Sequence, residues 1–438
     1  MKIAFVVHGF PPELSGGTER TVEALARAMQ AQGHEVLVIS GSLQVGPVGP
    51  PVDQLDELDQ DGLRVVRLHR DDLYFESWFK CYHPGVSQTL SRLFAVERPD
   101  VVHVHHWLRL TSDTARLARA TGAVTAVTLH DYFTVLARVV RQVGEDRVSM
   151  PELPEYMPEI EGREAFAFHR ADLHDEVRGA HLRFVPTKAH GDGLTRMAPG
   201  ELTDLRVTAP PLLGRPKASG RQRQPQRRRL LLWGSHYPDK GVDTVLSAMA
   251  QVDGEISLSL LGEVHDPAFQ AHLQQLAQGL DVEFGGAFTH ADLEQAAADF
   301  AVLPSRCHES YGLILDEALC LGLPVIAADL PAYREHAPKD ACVFFEAGNA
   351  DALAKLLHDQ ERLGALKPPR PPVLQTPAQA AADLIRHYQS IDPSEPAAPL
   401  TVTDRDRAGQ LFRRAERRLW SMLQKADAVL PPDGFLGS

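Results

Sequence analysis

The chain of 438 residues is poor in cysteine: four thiols, Cys81, Cys307, Cys320 and Cys342, with no CxxC pair among them. That spacing excludes a disulfide scaffold and suits a reducing cytoplasm. Long apolar runs are also missing. Ile3 to Val7 is too short for a signal-peptide core and is followed at once by Pro11-Pro12, and no later run reaches membrane-spanning length. The expected location is therefore the cytoplasm. Positive charge is the third shortage: Lys and Arg number 45 against 58 Asp and Glu, a net charge of −13, which argues against a general nucleic-acid binder. What is present is 44% hydrophobic and 24% charged residues, an ordinary globular composition, over a length that asks for two domains.

Strand and helix patterns alternate along both halves. Lys2 to Val7 reads as a strand, HGFPPELSGG as a turn, and Thr18 to Gln32 as a helix with Ala24, Leu25, Ala28 and Met29 in phase. Gly33 ends it and Val36 to Ser40 is the next strand, a βαβ unit. Further strands are expected at Leu63–Leu68, Val101–His105 and Ala123–Leu129, with helices near Val86–Val96 and Thr111–Thr121. The stretch from Arg215 to Arg229 holds seven cations, two prolines and no acid, and reads as a linker. The alternation then restarts at Leu230–Trp233 and continues through Ile256–Leu261, Val282–Phe284, Phe300–Leu303, Val325–Ala327 and Cys342–Phe344. Such alternation predicts doubly wound parallel sheets, an α/β fold.

The most informative stretch is LPSRCHESYGLILDEALCLGLPVIA, from Leu303 to Ala327. The order strand, loop, helix, strand puts a helix N-terminus at the carboxyl edge of a parallel sheet, where open α/β sheets bind ligands and free amides suit a phosphate. Glu309 lies in the loop before the helix. Glu317 lies within it, with its side chain leaning back toward the N-terminus. There it can accept a bidentate bond from vicinal hydroxyls such as those of a ribose.

This frame resembles the signature of the GT-B retaining glycosyltransferases with the E-x7-E element, family GT4. The resemblance implies two Rossmann-like domains facing across a cleft. It implies that Glu309 contacts donor-sugar hydroxyls, that Glu317 holds the nucleotide ribose, and that the amides of Gly312 and Leu313, in the frame Ser310-Tyr311-Gly312-Leu313, bind the diphosphate. Gly234-Ser235-His236-Tyr237-Pro238-Asp239-Lys240-Gly241 is similar to the family's G-R-x-x-x-x-K-G. Lys240 fits, and would stabilise the leaving nucleotide. Ser235 stands where the family has arginine, so Arg306, His236 or the Ser235 hydroxyl is the expected replacement. Gly16-Gly17 matches a glycine pair that lines the cleft in the family, and is equally a tight turn by itself. His130-Asp131-Tyr132 resembles T-x-H-D-Y, whose histidine faces the reacting sugar; Asp131 is then an acceptor base or an orienter of the imidazole. Gly262 and Phe288, in two further strand-end loops, would shape the base pocket.

The expected boundaries are 1–214 for the acceptor-side domain, 215–229 for the linker and 230–375 for the nucleotide-sugar domain. A helix within 376–392 crosses back to the first domain by analogy with the family, and 393–438 is a spacer and a basic amphipathic helix. That helix, Val402 to Ala426, carries Leu411, Phe412, Leu419, Trp420 and Leu423, and docks on the protein's own surface or on a membrane surface. His103 and His105 share a strand face and could supply two metal ligands, but no third ligand stands nearby, and no metal is expected. The leading reading is a retaining, metal-independent transfer of a hexose from a nucleoside diphosphate sugar, UDP- or GDP-linked, to a hydroxyl acceptor, with no cofactor. A nucleotide-sugar 2-epimerase and a non-catalytic nucleotide-sugar binder are the alternatives.

Overall fold

In the computed structural model, residues 1–43, 55–70, 72, 77–211, 214–218, 224, 227–369, 374–394 and 405–425 are described. Two parallel sheets organise them. The first holds β1 (Lys2–Val7), β2 (Glu35–Gly41), β3 (Leu55–Gln60), β4 (Leu63–Leu68), β5 (Val101–Val104), β6 (Val124–Thr128), β7 (Leu182–Val185) and β8 (Arg206–Val207), in the order β3-β4-β2-β1-β5-β6-β7-β8. All pairs are parallel except β3 with β4. The second holds β9 (Arg229–Trp233), β10 (Ser257–Leu261), β11 (Asp281–Gly286), β12 (Phe300–Leu303), β13 (Val325–Ala328) and β14 (Cys342–Phe345), in the order β11-β10-β9-β12-β13-β14 and wholly parallel. Central strands such as Ile3–Val7 and Phe300–Leu303 are apolar without alternation because helices cover both faces. The outcome is the α/β architecture of two Rossmann-like domains.

One expectation needs correction. The end of the 215–229 segment is not solvated linker. Arg228 is buried, and its guanidinium is received by the carbonyls of Asp253, Glu255 and Leu357, while Arg229 opens β9 and pairs with Asp299. Much of the remaining run lies outside the described residues. The tail helix Arg405–Lys425 docks on the protein's own surface, as one of the two expected placements had it: Leu411, Ala415 and Leu419 are buried, and Arg418 pairs with Glu161 of the helix Glu159–Gly179. The side chains of Phe412, Trp420 and Leu423 lie outside the described residues. No helix is long and apolar enough to cross a membrane among the described residues.

The helix Pro377–Gln389 crosses back to the first domain, burying Ala380, Ala381, Leu384, Ile385 and Tyr388 against the first sheet and the helix Gly17–Ala31. Two further clasps join the domains. Gln142 bridges Cys307, with Val143 N donating to Arg306 O (3.1 Å) and His308 N to Arg141 O (2.8 Å). On the other side, Glu335 accepts the first amides of the helix Lys188–Met197, Lys188 N at 2.9 Å and Ala189 N at 2.8 Å, and Thr187 Oγ1 donates to Ser310 O at 2.7 Å. A carboxylate at a helix start contributes about 1 kcal/mol. Since Glu335 belongs to the second domain, that energy holds the cleft closed. Glu335→Ala should therefore raise the radius of gyration in small-angle X-ray scattering without lowering helix content; an unchanged scattering profile would contradict the clasp.

Candidate active site

In each sheet the strand order reverses beside one strand, between β1 and β5 in the first and between β9 and β12 in the second. The loops leaving these strands diverge and open a crevice at the carboxyl edge. In the second domain they are 234–241 and 304–312; in the first, 8–16 and the segment after Val104. The two edges meet: a Cβ built on Gly17 would lie 3.5 Å from Leu313 Cδ1.

The second-domain loops form one surface. Gly312 caps the helix Leu313–Cys320 at φ 90°, and a Cβ there would come within 2.3 Å of the Tyr333 ring, so both the turn and the packing require glycine. Gly241 has the same necessity: at φ 73°, a Cβ would sit 2.2 Å from Pro304 O, so the two loops press together at this point. That approach brings Lys240 Nζ to 2.8 Å from Glu309 Oε1. Burial alone would push the Glu309 carboxyl up; the neighbouring ammonium outweighs it and holds it below the usual range, and Glu309 in turn holds Lys240 protonated. Glu317 is buried, with Oε2 receiving Trp233 Nε1–H at 2.7 Å and Oε1 3.8 Å from His290 Nε2. Tyr311 donates to Asp316 (2.7 Å) and stacks on His336, and the Ser310 carbonyl is the Thr187 acceptor. Gly234 and Gly262 lie at adjacent strand ends, with Gly234 N on Leu261 O (3.0 Å) and Gly262 N on Gly286 O (2.6 Å). Phe288 is half-buried against the second core.

Among the described residues, neither of the cations expected in place of the family arginine takes up that position. Ser235 is exposed. His236 is buried with Nε2 on Leu261 O at 3.0 Å, and burial pulls its imidazole down to about 4, so it stays neutral. Arg306 is turned to Pro238 O (3.0 Å) and Asp243 (3.1 Å), where it braces the Lys240 loop. Neither His236 nor Arg306 is the substitute.

The first-domain edge is a cluster of histidines. Gly16 caps the helix Gly17–Ala31, its amide held by Glu19 Oε2 at 2.8 Å, with Glu19 Oε1 3.0 Å from His8 Nε2. His130, half-buried at the end of β6, has Nε2 2.8 Å from His105 Nδ1. Asp131 was expected as a base or as the orienter of that imidazole. Its hydrogen bonds go elsewhere, Oδ2 to His106 Nε2 (3.1 Å) and Oδ1 to Phe133 N (2.8 Å), so His105 is the side chain that orients His130. The two ring nitrogens of His103 are engaged by Thr128 Oγ1 and Tyr388 Oη, each at 2.7 Å, so His103 does not share a metal-ligating face with His105. No group of three or more His, Cys, Asp or Glu is placed to hold a metal ion among the described residues.

Burial depresses this set of imidazoles from 6.5, His130, His169 and His190 to about 4 and His103 to about 3. Each then binds a proton more readily in the unfolded chain. Stability is full above the unfolded value and is lost as pH falls toward the folded one, by about 1.4 kcal/mol per pH unit for each imidazole. Glu176, pushed up to about 7 by burial, works in the opposite sense but is one group against several. Thermal melts should show Tm falling steadily as pH drops from about 7 to about 5; a constant Tm would show that these histidines titrate normally.

Sequence reasoning missed Trp233, read only as the last residue of a core strand. A buried indole needs an acceptor, which is the one signal available, but nothing in the sequence names Glu317 as that acceptor. By holding Oε2, Trp233 turns Oε1 toward His290. Trp233→Phe should weaken nucleoside diphosphate binding about 5- to 20-fold by calorimetry, the worth of one hydrogen bond to a carboxylate. In a Glu317→Gln background the same change should cost much less. Full additivity of the two losses would separate Trp233 from the ligand carboxylate.

Known proteins resemble this chain in sequence and in fold. A model described as glycosyltransferase family 4 matches residues 15–172, and one described as glycosyl transferases group 1 matches residues 227–359, so the two together cover both domains. A D-inositol 3-phosphate glycosyltransferase of Jonesia denitrificans is 28% identical over 72% of this chain and 76% of its own length. A GDP-mannose-dependent alpha-mannosyltransferase of Mycobacterium tuberculosis is 26% identical over 89% and 97%. Among solved structures, sucrose-phosphate synthase of Thermosynechococcus elongatus superposes with a TM-score of 0.60 at 19% identity, covering 89% of this chain and 98% of that one. Anabaena HepE in complex with UDP-glucose has a TM-score of 0.54 at 16% identity, covering 96% and 100%. The solved structures are alike in fold, and the family models match both domains around the cleft: the chain belongs to the GT-B glycosyltransferases of family 4.

Proposed function

We propose that this protein is a retaining glycosyltransferase that moves a hexose from a nucleoside diphosphate sugar to a hydroxyl acceptor without a metal ion. The observation that carries the reading is the Lys240–Glu309 pair, 2.8 Å apart, beside the open amide start of the helix that begins at Leu313. A diphosphate placed on the Gly312 and Leu313 amides would draw Lys240 toward it and release Glu309 to the sugar hydroxyls. Glu317, oriented by Trp233, would hold the ribose. Relatives named for GDP-mannose and a neighbour solved with UDP-glucose support a donor of this class.

The transfer breaks the bond from the anomeric carbon to the phosphate oxygen and forms one to the acceptor oxygen on the same face. The acceptor's proton passes to the departing phosphate oxygen, so no protein nucleophile is consumed. Lys240 and the helix amides stabilise the charge that develops on the leaving diphosphate. The interdomain clasps exclude water and thereby limit hydrolysis of the donor. Incubation with UDP- and GDP-hexoses and an acceptor panel should release nucleoside diphosphate only when acceptor is present, with the anomeric configuration of the donor kept in the product by NMR. Glu309→Gln should lower turnover about 10²-fold or more, as expected for a contact worth roughly 3 kcal/mol in the transition state. Inversion, or normal turnover by the variant, would overturn the reading.

A second reading, a non-catalytic nucleotide-sugar binder, rests on the exposed Ser235 and on the engagement of His236 and Arg306 elsewhere. It requires donor binding with no release over the whole panel.

A further inference from the structure

We propose that His105 fixes the tautomer of His130, so that His130 carries its proton on Nδ1 and meets substrate as a hydrogen-bond donor, not as a base. The word substrate rests on the glycosyltransferase reading; the placement of the proton follows from packing alone.

His105 follows β5 and His130 follows β6, two strands paired in register from Val101 and Val124 onward. The pairing sets the two rings edge to edge, centroids 5.0 Å apart and 23° between planes, with His105 Nδ1 facing His130 Nε2 at 2.8 Å. One hydrogen lies between these nitrogens, and either ring could own it. The other nitrogen of His105 decides. Nε2 is fully buried and has no hydrogen-bond partner among the described residues. It belongs to a ring lining a small cavity with Leu25, Pro186, Ala380 and Leu384. In that lining Thr21 Oγ1 donates to Gly17 O and Thr128 Oγ1 is bonded to His103, and neither reaches His105 Nε2. A buried N–H without an acceptor is rarer and costlier than a buried lone pair without a donor. His105 Nε2 is therefore bare, and the proton of this neutral ring is on Nδ1.

The consequence passes to the neighbour. His105 Nδ1–H donates, His130 Nε2 accepts, and the proton of His130 is left on its own Nδ1. Asp131 does not compete for it, being bonded to His106 and Phe133 N. A ring held in this tautomer offers no lone pair at Nδ1 for abstracting a proton. It can orient an oxygen of the donor sugar or of the acceptor, which fits a transfer in which the leaving phosphate takes the acceptor's proton. His105 acts through His130 and is a positioning residue.

The test is a long-range 1H–15N correlation spectrum of the full chain labelled at histidine, with the His130 signals identified by their loss in His130→Asn. His130 is expected to show a protonated Nδ1 and a bare Nε2; a protonated Nε2 overturns the proposal. His105→Phe removes the donor, so His130 should redistribute between tautomers and turnover should fall about 10- to 100-fold at unchanged nucleotide affinity. His105→Asn returns an N–H close to the place of Nδ1 and should restore the original tautomer with most of the turnover. A His130 that stays wholly Nδ1–H in His105→Phe would remove His105 from the role. The spectrum reads the tautomer whether or not sugar is transferred, so a failed glycosyltransferase assignment and a failed proton assignment remain distinguishable.

Discussion

The cleft depends on the unpaired amides at the start of the helix Leu313–Cys320, held there by Gly312 at a positive φ that Tyr333 leaves no room to change. Those amides form a fixed positive end that costs no reorganisation when an anion arrives. Glu309 lies just before them and Lys240 beside them, and the ion pair between the two keeps both charged. On the proposed function, a diphosphate and a sugar would each replace one partner of the pair, and the charge of the leaving group would fall to the helix start and to Lys240.

The two domains contribute opposite electrostatics. The second brings a lysine, two carboxylates and a helix end. The first brings neutral imidazoles, His103, His105 and His130, which are held by hydrogen bonds and whose charge burial suppresses. Neutral donors and acceptors suit the orientation of hydroxyls, since they neither attract the phosphates away from their site nor titrate with ordinary changes in pH. The clasps through Glu335 and through Gln142 bring these two faces together.

The alternation of strands and helices was legible wherever apolar residues kept their period, as in β1, β12 and the helix Gly17–Ala31. It was not legible in β3, whose LDELDQ is an exposed antiparallel edge without apolar alternation. Nor was it legible in the helix Glu159–Gly179, which buries His169, Asp172, Asp175 and Glu176 and so hides its inward face from any hydrophobic period. At the site, Glu309, Gly312, Glu317 and Lys240, carried by local motif, lie at the carboxyl edge of the second sheet, and His130 lies at that of the first. Trp233, His105 and Glu335 did not announce themselves, because their roles are contacts between residues 84, 25 and 147 positions apart. Spacing within a motif fixes neighbours along the chain; only the folded sheet edges choose partners across it.

The most direct test is a crystal structure with a bound nucleoside diphosphate. The account predicts phosphate oxygens within hydrogen-bond reach of the Gly312 and Leu313 amides, the ribose on Glu317, and Lys240 drawn off Glu309 toward the phosphates. Phosphates bound elsewhere, with the Lys240–Glu309 pair intact, would contradict it.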